Sequence, residues 1–331
     1  MKRFLKIIAA LVAVLAIVYF LGPKPAAPNY NNNLIQVPSD PAALEAFIRS
    51  KEAAHKVKPD NEARIVWAND STKAKTPYVI VYLHGFSASQ EEGNPVHRNI
   101  AKQFGCNMYL ARLSEHGIDT IDPLINMTAT SLWESAKEAY AIGKQLGDKV
   151  ILMGTSTGGT VALELASNFE DVAGLVLYSP NIAINNPSAF LSNNPWGLQI
   201  ARMVIGGKEN IIKNKPDNYK KYWNDHYRLE AVVELQELLE TTMIPSHFNK
   251  IKCPLLTLYY YKDEKNQDPV VKVSAMKEMF DAVATPANLK RMVPIPEAGN
   301  HVLASPIQSN DIISVEKETA LFLEQIMQLK K

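Results

Sequence analysis

Short apolar runs alternate along the chain with stretches in which apolar residues recur at helical spacing. The runs are almost continuously apolar, as strands buried on both faces require, and they lie at 78–85, 107–113, 149–154, 174–179, 254–261 and 289–296. Candidate helices lie at 41–54, 95–104, 131–146, 157–168, 272–283 and 309–329. This alternation predicts an α/β protein with a mostly parallel central sheet flanked by helices.

Sequence signals at two helix starts and one further strand refine this pattern. A short strand is expected at 63–68. The helix at 41–54 has Ser39 or Asp40 as its expected N-cap. For the helix at 131–146 we expect a capping box between Ser131 and Glu134.

Residues 1–22 carry a basic start (KRFLK, 2–6) followed by an uninterrupted apolar run over 7–21. This pattern is typical of an N-terminal membrane anchor or signal segment. Because no clear small-residue cleavage site precedes Pro23, we favour an uncleaved anchor. The basic residues then stay in the cytoplasm, and the remainder of the chain lies on the periplasmic or extracellular side. Cleavage would instead release a secreted protein.

The remainder divides into a linker and one domain. Residues 23–33 are rich in Pro and Asn without apolar periodicity, which indicates a linker. Residues 34–331 form the expected domain. The stretch 181–250 separates two strands and is too long for one crossover helix, so we interpret it as a cap insertion over the sheet edge.

Composition narrows the class of protein. Of 331 residues, 47% are hydrophobic and 21% are charged, which is a globular mixture. The formal net charge is +1, and no long basic run follows the N-terminus. We therefore expect no nucleic-acid partner.

The sequence Gly154-Thr155-Ser156-Thr157-Gly158 stands between a predicted strand and a helix rich in small residues. A serine at such a sharp strand-to-helix turn projects its hydroxyl above the sheet, where it can attack a carbonyl. Ser156 is therefore the candidate nucleophile of a serine hydrolase.

A histidine base is expected in the loop after the last strand, because the triad order in this context is nucleophile, acid, histidine. His301, in the segment PEAGNHV (296–302), has that order and that loop. The other histidines lack the triad order, the loop position or both, and they are His55, His84, His97, His116, His226 and His247.

The acid that orients this histidine should follow the run at 254–261. Asp263, Glu264 and Asp268 all do so. Asp268 precedes an apolar turn (PVV) that would return to the fold, whereas the other two lie in a charged stretch. We favour Asp268, with Asp263 as the alternative.

Two backbone N–H groups should stabilise the oxyanion that forms when Ser156 attacks. One belongs to Thr157, the residue after the nucleophile. The other is expected from Phe86, in the loop His84-Gly85-Phe86 that follows the run at 78–85.

Together these motifs resemble the α/β-hydrolase superfamily over about residues 60–329. The stretch 112–117 (RLSEHG) is similar to the R-x-x-x-H-G loop of its monoacylglycerol lipase and carboxylesterase branch. The resemblance implies a sheet with strand 78–83 between 107–113 and 150–154, and a helical cap. It also implies ester hydrolysis through an acyl-enzyme, with no metal or organic cofactor. The hormone-sensitive-lipase branch is disfavoured, because the chain has His-Gly-Phe in place of His-Gly-Gly-Gly.

The strand order that the resemblance implies separates the two cysteines. Cys106 and Cys253 then enter strands about four positions apart, roughly 20 Å, whereas bridgeable Cα atoms lie within about 7 Å. We expect no disulfide.

The substrate class is less constrained than the fold. Aromatic and aliphatic residues of the insertion, including Phe190, Leu191, Trp196 and Trp223, suggest a small-molecule ester with an apolar acyl group, and the alternative is that they only pack the cap on the body. An amide or peptide hydrolase with the same triad stays open, although Glu230, Glu234 and Glu237 of the insertion have the spacing of a solvated helix face. Other reactions of this fold, and a non-catalytic binding protein of the same fold, stay open as well.

Overall fold

The fold was analysed in a computed structural model, which describes residues 1–330. In this part of the chain nine strands form: β1 (Arg64–Val66), β2 (Thr76–Leu83), β3 (Asn107–Leu110), β4 (Gly147–Thr155), β5 (Val172–Tyr178), β6 (Glu209–Ile211), β7 (His226–Arg228), β8 (Leu255–Tyr259) and β9 (Lys290–Pro294). The α-helices are α1 (Lys2–Phe20), α2 (Pro41–Ala53), α3 (Val96–Gln103), α4 (Ala129–Leu146), α5 (Thr157–Asn168), α6 (Gly197–Ile205), α7 (Asp217–Tyr222), α8 (Leu229–Thr242), α9 (Pro245–Phe248), α10 (Val273–Ala282) and α11 (Ile312–Gln325).

Seven of the strands form one central sheet in the order β1-β3-β2-β4-β5-β8-β9. β1 pairs antiparallel with β3, and every other pairing is parallel. Val79 of β2 lies opposite Asn107 of β3 on one side and Val150 of β4 on the other. The predicted α/β architecture and the predicted neighbours of β2 are confirmed.

Both faces of this sheet are covered, which explains why the strand sequences are apolar throughout. In β2, Val79, Val81 and Leu83 belong to the core on the side of α4 and α5. The alternate residues Ile80 and Tyr82 belong to the core on the side of α3 and α11. Because side chains of a strand alternate between faces, burial on both sides removes the polar alternation of a half-exposed strand.

The predicted helix starts were right for α2 and wrong in detail for α4. Asp40 caps α2 by accepting a hydrogen bond from the Ala43 N–H at 2.9 Å. The capping box of α4 is formed by Thr128 and Ser131, each side chain accepting from the other residue's backbone N–H. The helix therefore begins two residues earlier than predicted, and Ser131 is the third helical residue instead of the cap.

The stretch 181–250, interpreted above as a cap insertion, forms several short elements. It carries α6, α7, α8 and α9, together with the antiparallel pair β6 and β7. These six elements lie in sequence between β5 and β8, which are neighbours in the central sheet. We refer to residues 181–250 as the cap.

Residues 29–33, within the predicted linker, lie against α4. The Trp133 indole N–H donates to the Asn31 carbonyl at 2.8 Å, and the buried Lys137 ammonium donates to the Asn31 side chain and to the Asn33 carbonyl. This part of the segment is therefore held on the domain by specific hydrogen bonds.

The two cysteines are free thiols. Cys106 directly precedes β3, and Cys253 lies two residues before β8. These strands stand four positions apart in the sheet, as the resemblance implied.

Candidate active site

Ser156 lies between the end of β4 and the start of α5 in a strained backbone conformation. Its φ of 53° and ψ of −118° are angles that non-glycine residues rarely adopt. The chain packs closely around this turn, and it can do so because residue 158 is a glycine. A Cβ placed on Gly158 would lie 1.9 Å from the Leu83 carbonyl oxygen. The glycine of the motif thus lets the first turn of α5 pass directly over the end of β2.

His301 and Asp268 are brought together although 33 residues separate them in sequence. The Nδ1–H of His301 donates to Asp268 Oδ2 at 2.7 Å. The other carboxylate oxygen, Oδ1, accepts from the Val270 and Val271 N–H groups at 2.9 and 3.0 Å. The apolar turn after Asp268 therefore fixes the carboxylate, as its sequence suggested.

Both members of this pair are buried, and each shifts the pKa of the other. Burial alone would raise the pKa of Asp268, but the charge and hydrogen bond of His301 and the two backbone N–H groups hold it below its usual value. Burial alone would lower the pKa of His301, but the charge and hydrogen bond of Asp268 raise it. The Nε2 atom of His301 is buried and has no hydrogen-bond partner among residues 1–330.

The alternative acid, Asp263, lies elsewhere. It is exposed, and its carboxylate accepts from Lys265 and Asn266 within its own turn. Of the three carboxylates considered, the structure brings Asp268 to His301.

The other histidines occupy separate environments. His84 and His116 are buried with their rings 5.0 Å apart, and Nε2 of His84 accepts from the Leu113 N–H. His97 is buried and contacts the Gln90 carbonyl. His226 and His247 pair with Asp225 and Glu164, and His55 is exposed.

The predicted oxyanion donors are positioned on neighbouring elements. Thr157 is the first residue of α5, and Phe86 follows β2, the strand beside β4. Neither backbone N–H donates to another group in the described part of the chain. Free N–H groups at a helix start and in an adjacent loop are the donors that an oxyanion requires.

Glu92 is a site residue that sequence reasoning missed. Its side chain is 3% exposed, and its Oε2 accepts from the Gly85 N–H at 2.5 Å. A Cβ placed on Gly85 would lie 2.9 and 3.0 Å from the two Glu92 carboxylate oxygens and 3.0 Å from Ser156 Cβ. Glu92 and Ser156 therefore lie on either side of Gly85, only a few ångströms apart. In sequence Glu92 stands beside Glu91 in a polar stretch typical of a solvated loop, and no local signal distinguishes the two.

The environment of Glu92 disfavours its ionised form. Burial raises its pKa to about 7, although the Gly85 N–H, the charge of His301 and a hydrogen bond from the Trp223 side chain all act in the opposite direction. A carboxyl group that titrates near neutrality therefore lies beside the candidate catalytic residues.

The cap covers this edge of the sheet. A small buried cluster joins it to the loops of the site: Ala88, Tyr219, Trp223 and Val302. The Asn224 N–H donates to the Ser87 carbonyl at 2.8 Å, and the Phe86 ring packs edge-on against Tyr227. Ser156 is consequently only 6% exposed.

Within residues 1–330, no group of three or more His, Cys, Asp or Glu side chains is arranged to hold a metal ion.

Comparison with known families agrees with this geometry. The sequence pattern of the family described as "Serine aminopeptidase, S33" matches residues 130–298, just over half of the chain. The chain belongs to this hydrolase family. The matched span includes Ser156 and Asp268 and ends three residues before His301.

Individual relatives of this S33 hydrolase support the same superfamily. It is 28% identical over 196 residues to the thermostable monoacylglycerol lipase of Bacillus sp. (strain H-257). The matched region covers 58% of this chain and 72% of that protein. Its fold is similar to a structure from the study of the metagenome-derived lipolytic enzymes LipS and LipT, with 18% identity, a TM-score of 0.63 and coverage of 81% and 99% of the two chains. It is also similar to the monoacylglycerol lipase of Paleococcus ferrophilus, with 15% identity, a TM-score of 0.57 and coverage of 79% and 97%. The resemblance to the α/β-hydrolase superfamily is confirmed.

Proposed function

We propose that this protein is a serine hydrolase that cleaves carboxylic esters through an acyl-enzyme on Ser156. The observation that carries the proposal is the buried hydrogen bond between His301 and Asp268, at the sheet edge where Ser156 occupies its strained turn. A plain strand-to-helix turn needs neither the strain nor the buried hydrogen bond between a histidine and a carboxylate.

In the proposed mechanism, Nε2 of His301 accepts the proton of Ser156 as its Oγ attacks the ester carbonyl. Asp268 holds the imidazole through Nδ1 and stabilises the imidazolium that forms. The N–H groups of Phe86 and Thr157 donate to the oxyanion of the tetrahedral intermediate. His301 then protonates the leaving alcohol, and a water molecule activated in the same way hydrolyses the acyl-enzyme.

Apolar esters are the proposed substrate class. The Phe86 ring and Tyr227 of the cap supply aromatic surface next to one oxyanion donor. A monoacylglycerol lipase is also among the relatives. Acyl groups that bury apolar surface here would gain about 25 cal/mol per Å² removed from water.

An aminopeptidase is the second candidate, because the family is described as one. Such an enzyme needs a free carboxylate to bind the substrate's ammonium group. The three cap glutamates at helical spacing are engaged elsewhere: Glu230 pairs with Arg202 and Arg228, Glu234 accepts from the Ala129 N–H, and Glu237 accepts from Asn193. None of these three glutamates is therefore free to bind that ammonium group.

The decisive experiment treats the full chain with a fluorophosphonate and locates the adduct by peptide mass spectrometry. We expect an adduct on Ser156 that is lost in Ser156→Ala. Ser179→Ala is a matched control, since Ser179 is also buried, follows the neighbouring strand β5 and has a positive φ of 44°. An unlabelled folded protein would refute the catalytic proposal and favour a binding protein of the same fold.

A substrate panel then separates the two candidate reactions. We expect p-nitrophenyl esters of increasing acyl length to be hydrolysed at least about 10²-fold faster, in kcat/KM, than aminoacyl p-nitroanilides. Faster cleavage of the anilides would favour the aminopeptidase.

We further propose that α1 anchors the hydrolase domain to a membrane and that the domain lies on the periplasmic or extracellular side. α1 is 19 residues long and apolar enough to cross a membrane, and none of its apolar stretch is buried in the protein. Lys2, Arg3 and Lys6 at its start favour the cytoplasmic side. Retention of the full chain in membranes after alkaline carbonate extraction, with the domain digested by protease added from the non-cytoplasmic side, tests both statements. Release of an N-terminally trimmed protein would indicate a cleaved signal.

A further inference from the structure

Exposed large apolar side chains are concentrated in one part of the cap. Beyond residue 21, twelve such side chains are exposed in the described chain, and eight of them lie between residues 190 and 211. These eight are Phe190, Leu191, Trp196, Ile200, Met203, Val204, Ile205 and Ile211. Isolated exposed apolar residues are normal on protein surfaces, but a cluster of this kind marks a surface that binds something.

The centre of this surface is α6. Gly197 is its only buried residue, although the helix contacts α8 and β6. Met203 and Val204 are 79% and 81% exposed, which is nearly complete exposure for residues of these types. A short helix with open apolar side chains gains stability only when a partner covers them.

The same surface is joined to the end of α1. The Trp196 backbone N–H donates to the Pro23 carbonyl at 3.0 Å, and its indole N–H donates to the Val18 carbonyl at 2.9 Å. A 19-residue helix is about 28 Å long, close to the thickness of a bilayer's hydrocarbon core. If α1 spans a membrane, Val18 and Pro23 lie where the chain leaves it, and Trp196 lies at that same level.

Charge around the surface also fits a lipid partner. Lys24, Lys208 and Lys213 are exposed at its borders, and the acidic residues nearby are the half-buried Glu209 and, in the groove beside Lys24, Glu230 and Glu234. Basic residues beside a membrane-inserted helix attract anionic headgroups, and tryptophan favours the headgroup level.

We propose that cap residues 190–211 are a membrane-docking surface, which inserts its apolar side chains into the headgroup region of the bilayer that α1 crosses. The inference rests on the proposed anchoring by α1 and goes beyond it. A single anchor would leave the domain free to rotate over the membrane, whereas docking would fix its orientation. It would also hold the cap, which covers Ser156, against the lipid.

The test uses the full chain with Met203→Cys, labelled on that cysteine with an NBD fluorophore and reconstituted in vesicles. Ile313→Cys is the matched control, because Ile313 is 80% exposed but lies in α11, on the opposite side of the sheet from α4 and α5. The native cysteines should react slowly, since burial raises the pKa of Cys106 and of Cys253 to about 12.

We expect the probe at residue 203 to emit at shorter wavelength than the probe at residue 313. Lipids with a nitroxide on the upper acyl chain should quench it at least about twofold more strongly. Val204→Glu in the same background should reduce the quenching, because the bilayer disfavours an inserted carboxylate. Unchanged quenching in that variant would show that the dye partitions by itself and would overturn the proposal.

Two other results would also overturn docking. Equal, weak quenching at both positions would show that the surface stays in water. A blue shift at residue 203 that lipid nitroxides do not quench, and that disappears on dilution of the protein, would identify a second copy of the chain as the partner. Failure of the chain to float with vesicles would remove the anchoring proposal together with this one, while fluorophosphonate labelling of Ser156 tests the hydrolase proposal independently.

Discussion

The sheet edge that carries the candidate active site and the outer surface of the cap depart from ordinary burial in opposite directions. At the sheet edge, Glu92, Asp268 and His301 are polar side chains no more than 8% exposed. On the cap, Met203 and Val204 are apolar side chains about four-fifths exposed. Each arrangement is unfavourable for an isolated soluble domain, the first through desolvation and the second through apolar hydration.

The two regions differ in how the unfavourable burial of polar groups and the unfavourable exposure of apolar groups are offset. The buried polar groups find partners within the chain, since Asp268 accepts two backbone N–H groups and the His301 hydrogen bond. The exposed apolar groups of α6 find none in the protein. The contrast teaches that the fold itself satisfies the buried carboxylate of Asp268, whereas we propose that the membrane covers the apolar surface of the cap.

The largest expected effect concerns the buried acid. Asp268→Asn should lower kcat for ester hydrolysis by about 10⁴-fold, because the amide can no longer stabilise the imidazolium or hold the reactive tautomer. Asp263→Asn is the matched control and should change kcat less than about twofold, since Asp263 only closes its own exposed turn. Similar losses in both variants would contradict the assignment of the acid.

The next effect concerns the packing of the loop His84-Gly85-Phe86, which carries the proposed oxyanion donor Phe86. Gly85→Ala should lower kcat by about 10²-fold, because the new Cβ would lie within 3.0 Å of both Glu92 and Ser156 and displace the Phe86 N–H. Gly207→Ala, on the cap, introduces a Cβ with no atom within 4 Å and should leave kcat unchanged. Full activity in Gly85→Ala would remove Phe86 as a donor.

A smaller effect should appear in the pH dependence of stability. The folded pKa of Glu92 is about 7, above the usual unfolded value of about 4.3, so folding favours the protonated acid. Its contribution is fully present below the unfolded pKa and is lost as the pH rises through the folded pKa. The free energy of unfolding of Glu92→Gln, relative to wild type, should therefore increase by about 2 kcal/mol between pH 5 and pH 8 in urea titrations. A difference that is constant with pH would contradict the raised pKa of Glu92.

The smallest effect is expected on the cap surface. Val204→Ser should change the free energy of unfolding in detergent by less than about 0.5 kcal/mol, because this side chain makes little contact with the fold. Val81→Ser, in the buried strand β2, should by contrast cost about 2 kcal/mol or more. A comparable loss in the two variants would mean that residue 204 packs within the protein.

Local sequence signals were strong where chemistry and backbone geometry coincide. The motif around Ser156 required a strand, a sharp turn and a helix, and all three are present. The loop position of His301 and the apolar turn after Asp268 led to residues that the structure brings within 2.7 Å. In the helix at 129–146 the local signal was ambiguous, because Thr128 and Ser131 are both good caps and only the chain's path decides between them.

By itself, the sequence determined the alternating α/β pattern, the apolar first helix and the candidate nucleophile, since each depends on residues close together in the chain. Only the tertiary structure decided what depends on distant segments meeting. It placed Glu92 beside Gly85 and Ser156, gathered the apolar surface of the cap next to the end of α1, and fixed residues 29–33 on α4. Burial and its effect on a charge are properties of the surrounding atoms, and most of those atoms belong to other parts of the sequence.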